Sequence, residues 1–414
     1  MQEFINKQFY NLFIFTFIFG LVLYGTIGFD SIDEICAGVL FLLFVFATFK
    51  SPEWGVNKSF IAVCTIFCIY AIYSFYIHSN STAGIISDII IQFKPYLAFF
   101  AVYYLCPIFS NKQKDLIKKI TLILSVPMFL IGCASLVNGS IIKETVGLVA
   151  YFAAIMTISA LLYYYCSEGT KKDKILFILM LSIGLFSARS KFYGFFIISV
   201  VMMIFFDNIS RMKFNFKTLS ILTLSLAAML FASREKMTLY FGFGKSLDSV
   251  PEAFMARAVL YTTSFEILND YFPMGSGFAS FASQSSGVYY SPLYEKYGIE
   301  NVKGISKTNY SYIADTYYPC LAQFGVIGII LYFLFFIYII RKAYLLFKAT
   351  QQEKYFIIPF LIIGYLLIEN IADATFTGHR GFFIMMLLGL VLSEQRHILS
   401  ASSNTREATT AFND

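Results

Sequence analysis

Apolar stretches of about 20 residues, the length that crosses a bilayer as an α-helix, recur along almost the whole chain and are separated by short segments rich in lysine and arginine. Backbone groups in hydrocarbon must find their hydrogen bonds within the segment itself, so a run of this kind folds as a helix. Candidate spans fall at residues 9–28, 32–49, 59–77, 85–109, 118–137, 145–166, 173–187, 192–206, 217–232, 316–340, 355–371 and 377–393. The expected fold class is an all-α polytopic membrane protein with about 12 transmembrane helices. The two spans between 173 and 206 also read as one broken hairpin. Composition excludes the alternative of a water-soluble globule. Hydrophobic residues make up 58% of the 414 residues and charged residues only 14%, against roughly a quarter charged in soluble domains. No small-residue cleavage site follows the first apolar run, so that run is read as a retained helix.

The basic residues set an expected orientation, because cytoplasmic segments collect Lys and Arg. With the N-terminus in the cytoplasm, the inward segments, Lys7 and the tail hold 19 of the 31 basic residues. The short outward loops hold four: Lys143, Arg189, Lys191 and Arg380. Lys94 lies inside a span, and seven more lie in one long loop. The net charge of +6 therefore reflects topology and does not argue for a nucleic-acid partner. Both termini are expected in the cytoplasm. The chain divides into spans over 1–232, a long outward loop over 233–315, further spans over 316–393 and a polar, disordered tail over 394–414. Its seven cysteines show neither zinc spacing nor a disulfide framework, and its three histidines are scattered, so no metal site is expected. No internal repeat is evident, which counts against transporter folds built from duplicated halves.

The long outward loop carries a helix signature. Ser249 and Glu252 make a capping box with Pro251 in the first turn. Phe254, Ala258, Tyr261, Phe265 and Leu268 follow at helical spacing, a stripe that suits a helix lying on the membrane surface or against the bundle. Pro273 ends it, followed by the turn Met274-Gly275-Ser276-Gly277 and by Tyr289, Tyr290, Tyr294 and Tyr297.

Positive charge on the outward side opposes the usual bias, so Arg189, Arg257 and Arg380 are candidate functional residues. Each also reads as a headgroup contact or a local ion pair, Arg380 above all, with Asp373 and Glu369 nearby. The functional reading is anion binding: a guanidinium presents a fixed fork of donors to phosphate oxygens. Backbone amides of the Gly275/Gly277 turn would approach the same anion. Lys94, beside Pro95 within a span, is an ionisable group at a costly depth. It is either functional or paired structurally with Glu369 or Asp88. Asp315 precedes a span and is either a helix N-cap or a carboxylate base.

Taken together, the chain resembles the O-antigen polymerase and O-antigen ligase superfamily from about Leu181 to Gly328. The motifs that carry the resemblance are Ser187-Ala188-Arg189-Ser190 after a span, then Arg257 leading a helix to Phe272-Pro273-Met274-Gly275-Ser276-Gly277-Phe278. Asp315 before Phe324-Gly325-Val326-Ile327-Gly328 completes the series. Ligases of this superfamily carry a histidine near the start of the span that here begins at Thr316. None occurs from Lys307 to Tyr318, which favours the polymerase branch.

The resemblance implies a multi-pass protein of the bacterial cytoplasmic membrane that polymerises an O-antigen, capsule or exopolysaccharide from repeat units on undecaprenyl pyrophosphate. It implies Arg189 and Arg257 on the donor pyrophosphate, Asp315 on the acceptor hydroxyl, and Tyr289 and Tyr290 stacked on sugars. Lys94, Gly275, Gly277 and Arg380 would contact substrate, without metal or cofactor. Implied partners are the lipid-linked oligosaccharide, membrane lipids, a chain-length regulator and a flippase. The alternatives are a ligase that passes the glycan to a lipid or protein, and a lipid-linked oligosaccharide flippase or transporter.

Overall fold

The computed structural model describes residues 1–29, 31–50, 58–210 and 252–394, all helix, turn or loop, with no strand among them. The expected span at 217–232, the Ser249–Pro251 part of the capping box and the tail after Glu394 lie outside the described residues. Helices run over Gln2–Phe17 (α1), Ile32–Lys50 (α2), Lys58–Tyr76 (α3), Thr82–Leu105 (α4), Asn111–Ser135 (α5), Val149–Cys166 (α6), Lys171–Ile183 (α7), Ser190–Ser210 (α8), Glu252–Asp270 (α9), Gly325–Thr350 (α10) and Lys354–Glu369 (α11), and over 379–394 (α12). Every other candidate span overlaps a helix, with shifted bounds at the first, where α1 starts at Gln2, and at 316–340, where α10 runs over Gly325–Thr350. Seven helical segments among the described residues are long and apolar enough to cross a membrane; α7, α8, α11 and α12 are shorter or less apolar. The protein is a multi-pass helical membrane protein.

The pattern of burial orders the helices. α6 is apolar all round, and 89% of its span is buried, which places it at the centre. α12 is buried along almost its whole length from Phe382 to Ser393. It packs closely against α4, where a Cβ on Gly389 would meet the Phe99 carbonyl at 2.6 Å. Small residues permit such backbone approach between helices in lipid, where no hydrophobic force draws helices together. α3 is at the other extreme, with 17% of its span buried. α1 continues through a π-helical turn at Ile18–Val22, and Gly25 beyond it meets the Val146 carbonyl so closely that a Cβ would sit 2.0 Å away. The turns that start α5 and α7 are fixed by capping boxes, Ser110 with Gln113 and Thr170 with Asp173.

One end of the bundle, here the loop end, is covered by residues 252–324. These residues have a core of their own: Leu260 and Ile267 of α9 pack with Phe281, Tyr294, Ile305 and Ile313. The buried face of α9 is Ala256, Leu260, Thr263, Ser264 and Ile267, whereas Phe265 of the expected stripe is 68% exposed. The helical period was legible; its phase was not, because both faces of α9 carry apolar side chains.

The turn after α9 is pinned to the bundle. Ser74 and Asp88 accept the amides of Phe278 and Ala279 at 2.8 and 2.7 Å, and Gln323 accepts that of Ser280 at 2.8 Å. Gly275 and Gly325 face each other backbone to backbone at positive φ, and a Cβ on Gly325 would sit 2.2 Å from the Pro273 carbonyl. Gly325→Ala is expected to lower stability by at least about 1–3 kcal/mol from backbone strain alone. Gly364→Ala, within α11 where a Cβ would meet nothing within 4 Å, should not lower it, since Ala favours a helix over Gly. Thermal unfolding of both variants in detergent checks the pair.

Candidate functional site

At the loop end the connection from α11 to α12 carries Glu369 and Asp373, and basic side chains from three other stretches meet it. Arg189 reaches Glu369 with both terminal nitrogens, Nη1 to Oε1 at 3.1 Å and Nη2 to Oε2 at 2.9 Å, and lies 3.8 Å from Asp373. A left-handed Ala188 (φ 51°) turns the chain between α7 and α8 so that Arg189 and Lys191 face this point. Lys191 forms an ion pair with Glu369 Oε2 at 3.0 Å and donates to the carbonyls of Glu369 and Ala372 at 3.0 and 3.1 Å. Arg380, in the first turn of α12, bonds Asp373 at 2.7 Å.

Arg257 of α9 joins from above. Its Nε donates to Asp315 Oδ2 at 2.7 Å, and Nη2 pairs with the same oxygen. One turn further along α9, Tyr261 donates to the Ile371 carbonyl at 2.7 Å and ties the helix to the α11–α12 connection. Asp315 feels the charges of both Asp373 and Lys191, so the Arg257 pair belongs to the same field. Four cations and three carboxylates thus form one network of net charge +1. It brings together Arg189, Arg257, Asp315 and Arg380, each arginine in a local ion pair of the kind the sequence also allowed.

The carboxylates differ in state. Burial pushes Asp373 up, but Arg380, Lys191 and Arg189 outweigh it and hold the carboxyl at about 2. Asp315 goes the other way: burial raises it above the ordinary carboxylate range, and Arg257 offsets only part of the rise. The two neighbouring carboxyls are thus shifted in opposite directions, Asp373 down and Asp315 up. Asp315 does not cap the following helix, which begins at Pro319 with Tyr318 as its N-cap.

Other expected site residues are placed differently. The amides of Gly275 and Gly277 are given to the carbonyls of Tyr271 and Gln323, both at 2.8 Å, so neither glycine amide is turned to an anion. Tyr289 packs over Gly84, and Tyr290 packs on Tyr294 with ring centroids 5.2 Å apart; among the described residues neither touches the charge network. Lys94 is buried and pairs with Asp33 and, at 2.7 Å, with Glu34. Neither Glu369 nor Asp88 is its partner, since Glu369 holds Arg189 and Lys191 and Asp88 holds Ala279.

Two contributors escaped sequence reasoning. Lys191 was visible only as an outward basic residue. His379 lies buried between Tyr24 (ring centroids 3.6 Å, stacked) and Tyr151 (5.1 Å, edge-on), with no hydrogen-bond partner for Nε2 among the described residues. Arg380 sits over the same Tyr151 ring at 5.3 Å, and its Nε and Nη1 are likewise buried and unpartnered there.

Fold and site define a multi-pass helical membrane protein with a cation-rich ion network at its loop end. No protein-family model matches the chain, and no curated protein matches it.

Lys94→Met is expected to cost about 3–5 kcal/mol, the effect of leaving a buried partner's charge uncompensated. Asp33→Asn added to it should restore part of the loss. The thermal midpoints of single and double variants measure this, and equal midpoints for wild type and Lys94→Met would refute a stabilising triad.

Proposed function

We propose that the protein is a polysaccharide polymerase that transfers a growing glycan from a polyprenyl pyrophosphate carrier to the next lipid-linked repeat unit, on the outer side of a bacterial cytoplasmic membrane. The observation that carries this reading is the convergence of Arg189, Lys191, Arg257 and Arg380 on one point beside Asp315. The bias of basic residues toward the opposite end of the bundle supports an outward loop end.

In this reading the donor pyrophosphate displaces carboxylates from the guanidinium groups. Arg189 and Arg257 then bind its oxygens and stabilise the charge that develops as the bond from the anomeric carbon to the pyrophosphate oxygen breaks. The acceptor hydroxyl oxygen attacks that carbon, and its proton passes to Asp315. Arg257 couples the two events. While it pairs with Asp315 it holds the carboxyl down, so its departure to the pyrophosphate raises the carboxyl and makes it a stronger base.

Polymer length in cells and turnover in purified samples test the proposal. Arg257→Ala and Arg189→Ala should each lower the rate about 100- to 1,000-fold while the protein still inserts. The base must be ionised, so wild-type activity should rise with pH along a limb above the ordinary carboxylate range, and that limb should vanish in Asp315→Asn. Normal chain lengths in both arginine variants would remove the assignment.

The Lys94–Asp33–Glu34 group supports a second reading, because charge within a span is a property of transporters. Purified protein in liposomes separates the two. The polymerase reading expects new glycosidic bonds without dependence on Lys94 charge; flipping of lipid-linked oligosaccharide without bond formation would favour transport.

A further inference from the structure

Arg380 keeps one carboxylate contact, Nη2 on Asp373 Oδ1 at 2.7 Å, while its Nε and Nη1 are buried without a partner among the described residues. A buried guanidinium is ordinarily fixed by several hydrogen bonds. Here the Tyr151 ring takes that part. Its centroid lies 5.3 Å from the guanidinium carbon, inside the range of a cation–π contact.

Tyr151 is itself held. Tyr24 meets it edge-on at 5.6 Å and stacks on His379 at 3.6 Å, and His379 meets Tyr151 edge-on at 5.1 Å. Each of the three rings therefore touches the other two, and the edge-on contacts are of the kind aromatic pairs prefer. A backbone contact delivers Tyr24 to this place. Gly25 and Gly147 lie so close that a Cβ on Gly147 would sit 3.0 Å from the Gly25 carbonyl. The turn after α1, the start of α6 and the start of α12 thus meet at Arg380.

Asp373 has two arginines within reach. Its Oδ1 is bonded to Arg380, while its Oδ2 stops 3.8 Å from Arg189 Nη2, which pairs with Glu369 Oε2 at 2.9 Å. A carboxylate freed from Arg380 would close that gap, and Arg189 would then be held by two carboxylates. We infer that Tyr24, Tyr151 and His379 clamp Arg380, and that Arg380 holds Asp373 off Arg189, so that Arg189 has one carboxylate to exchange for a diphosphate. Arg380 and the three rings are positioning residues, and they act without touching the substrate. This rests on the reading of the network as a pyrophosphate site.

Binding of a polyprenyl pyrophosphate to the full chain in lipid nanodiscs, with glycan synthesis and thermal midpoints measured on the same samples, tests this. Tyr151→Leu with an unchanged thermal midpoint should raise Kd about tenfold, the loss of one desolvated contact of this class. Tyr151→Phe, which keeps the ring, should stay at the wild-type value. Asp373→Asn removes the competing carboxylate, so Tyr151→Leu added to it should raise Kd no further, whereas a merely structural defect would add. Tyr24→Leu leaves the Tyr151 ring in place and should give the same pattern with a rise of about threefold; it serves where Tyr151→Leu does not fold. An unchanged Kd in the folded leucine variants, or a rise that persists beside Asp373→Asn, would overturn the inference. Binding in the expected pattern without glycan synthesis keeps the clamp and removes the polymerase. Synthesis with an unchanged KM for the lipid donor in folded Tyr151→Leu removes the clamp and keeps the polymerase. A wild type that binds no polyprenyl pyrophosphate removes both.

Discussion

Glu369 is almost wholly buried, yet it holds Arg189 by both terminal guanidinium nitrogens and Lys191 by its ammonium, and the loop end is arranged around that contact. A charge between helices is tolerable only where an opposite charge meets it. The hairpin of α7 and α8 must therefore sit against the end of α11, and the α11–α12 connection must present Asp373 to Arg380. The four cations exceed the three carboxylates by one. A guanidinium already oriented by a carboxylate is also preorganised for a phosphate of similar geometry.

The loop helix is the other half of this arrangement. α9 is joined to the network by Arg257–Asp315 and by Tyr261 on the Ile371 carbonyl, while its own core packs against residues 281–313. The Gly275 and Gly325 contact and the amides held by Ser74, Asp88 and Gln323 fasten that unit to α3, α4 and α10. The glycine turn thus serves the site at one remove: it sets where α9 lies, and α9 sets where Arg257 reaches.

The helices were legible in the sequence because hydrocarbon leaves the backbone no other way to satisfy its hydrogen bonds. The arginines were legible because they stand apart from the basic clusters between the other spans. What pairs with what was not legible. Lys94 finds Asp33 and Glu34, about 60 residues away, and sequence spacing ranks no such partner above Glu369 or Asp88. The α9 stripe was misphased because a helix between a protein core and an apolar surface is hydrophobic on both sides; Ala256 and Leu260 went inward and Phe265 outward. A Gly-x-Gly turn looks the same whether its amides face an anion or, as here, two carbonyls. His379 gave no signal, since a lone histidine acquires meaning only from the rings of Tyr24 and Tyr151 around it.

The account turns on whether the cations at the loop end hold a diphosphate. A structure of the full chain in lipid nanodiscs with a polyprenyl pyrophosphate bound decides it. The account predicts diphosphate oxygens at about 2.7–2.9 Å from nitrogens of both Arg189 and Arg257, with Asp315 released from Arg257. A diphosphate bound elsewhere, with the Arg189–Glu369 and Arg257–Asp315 pairs intact, would contradict it.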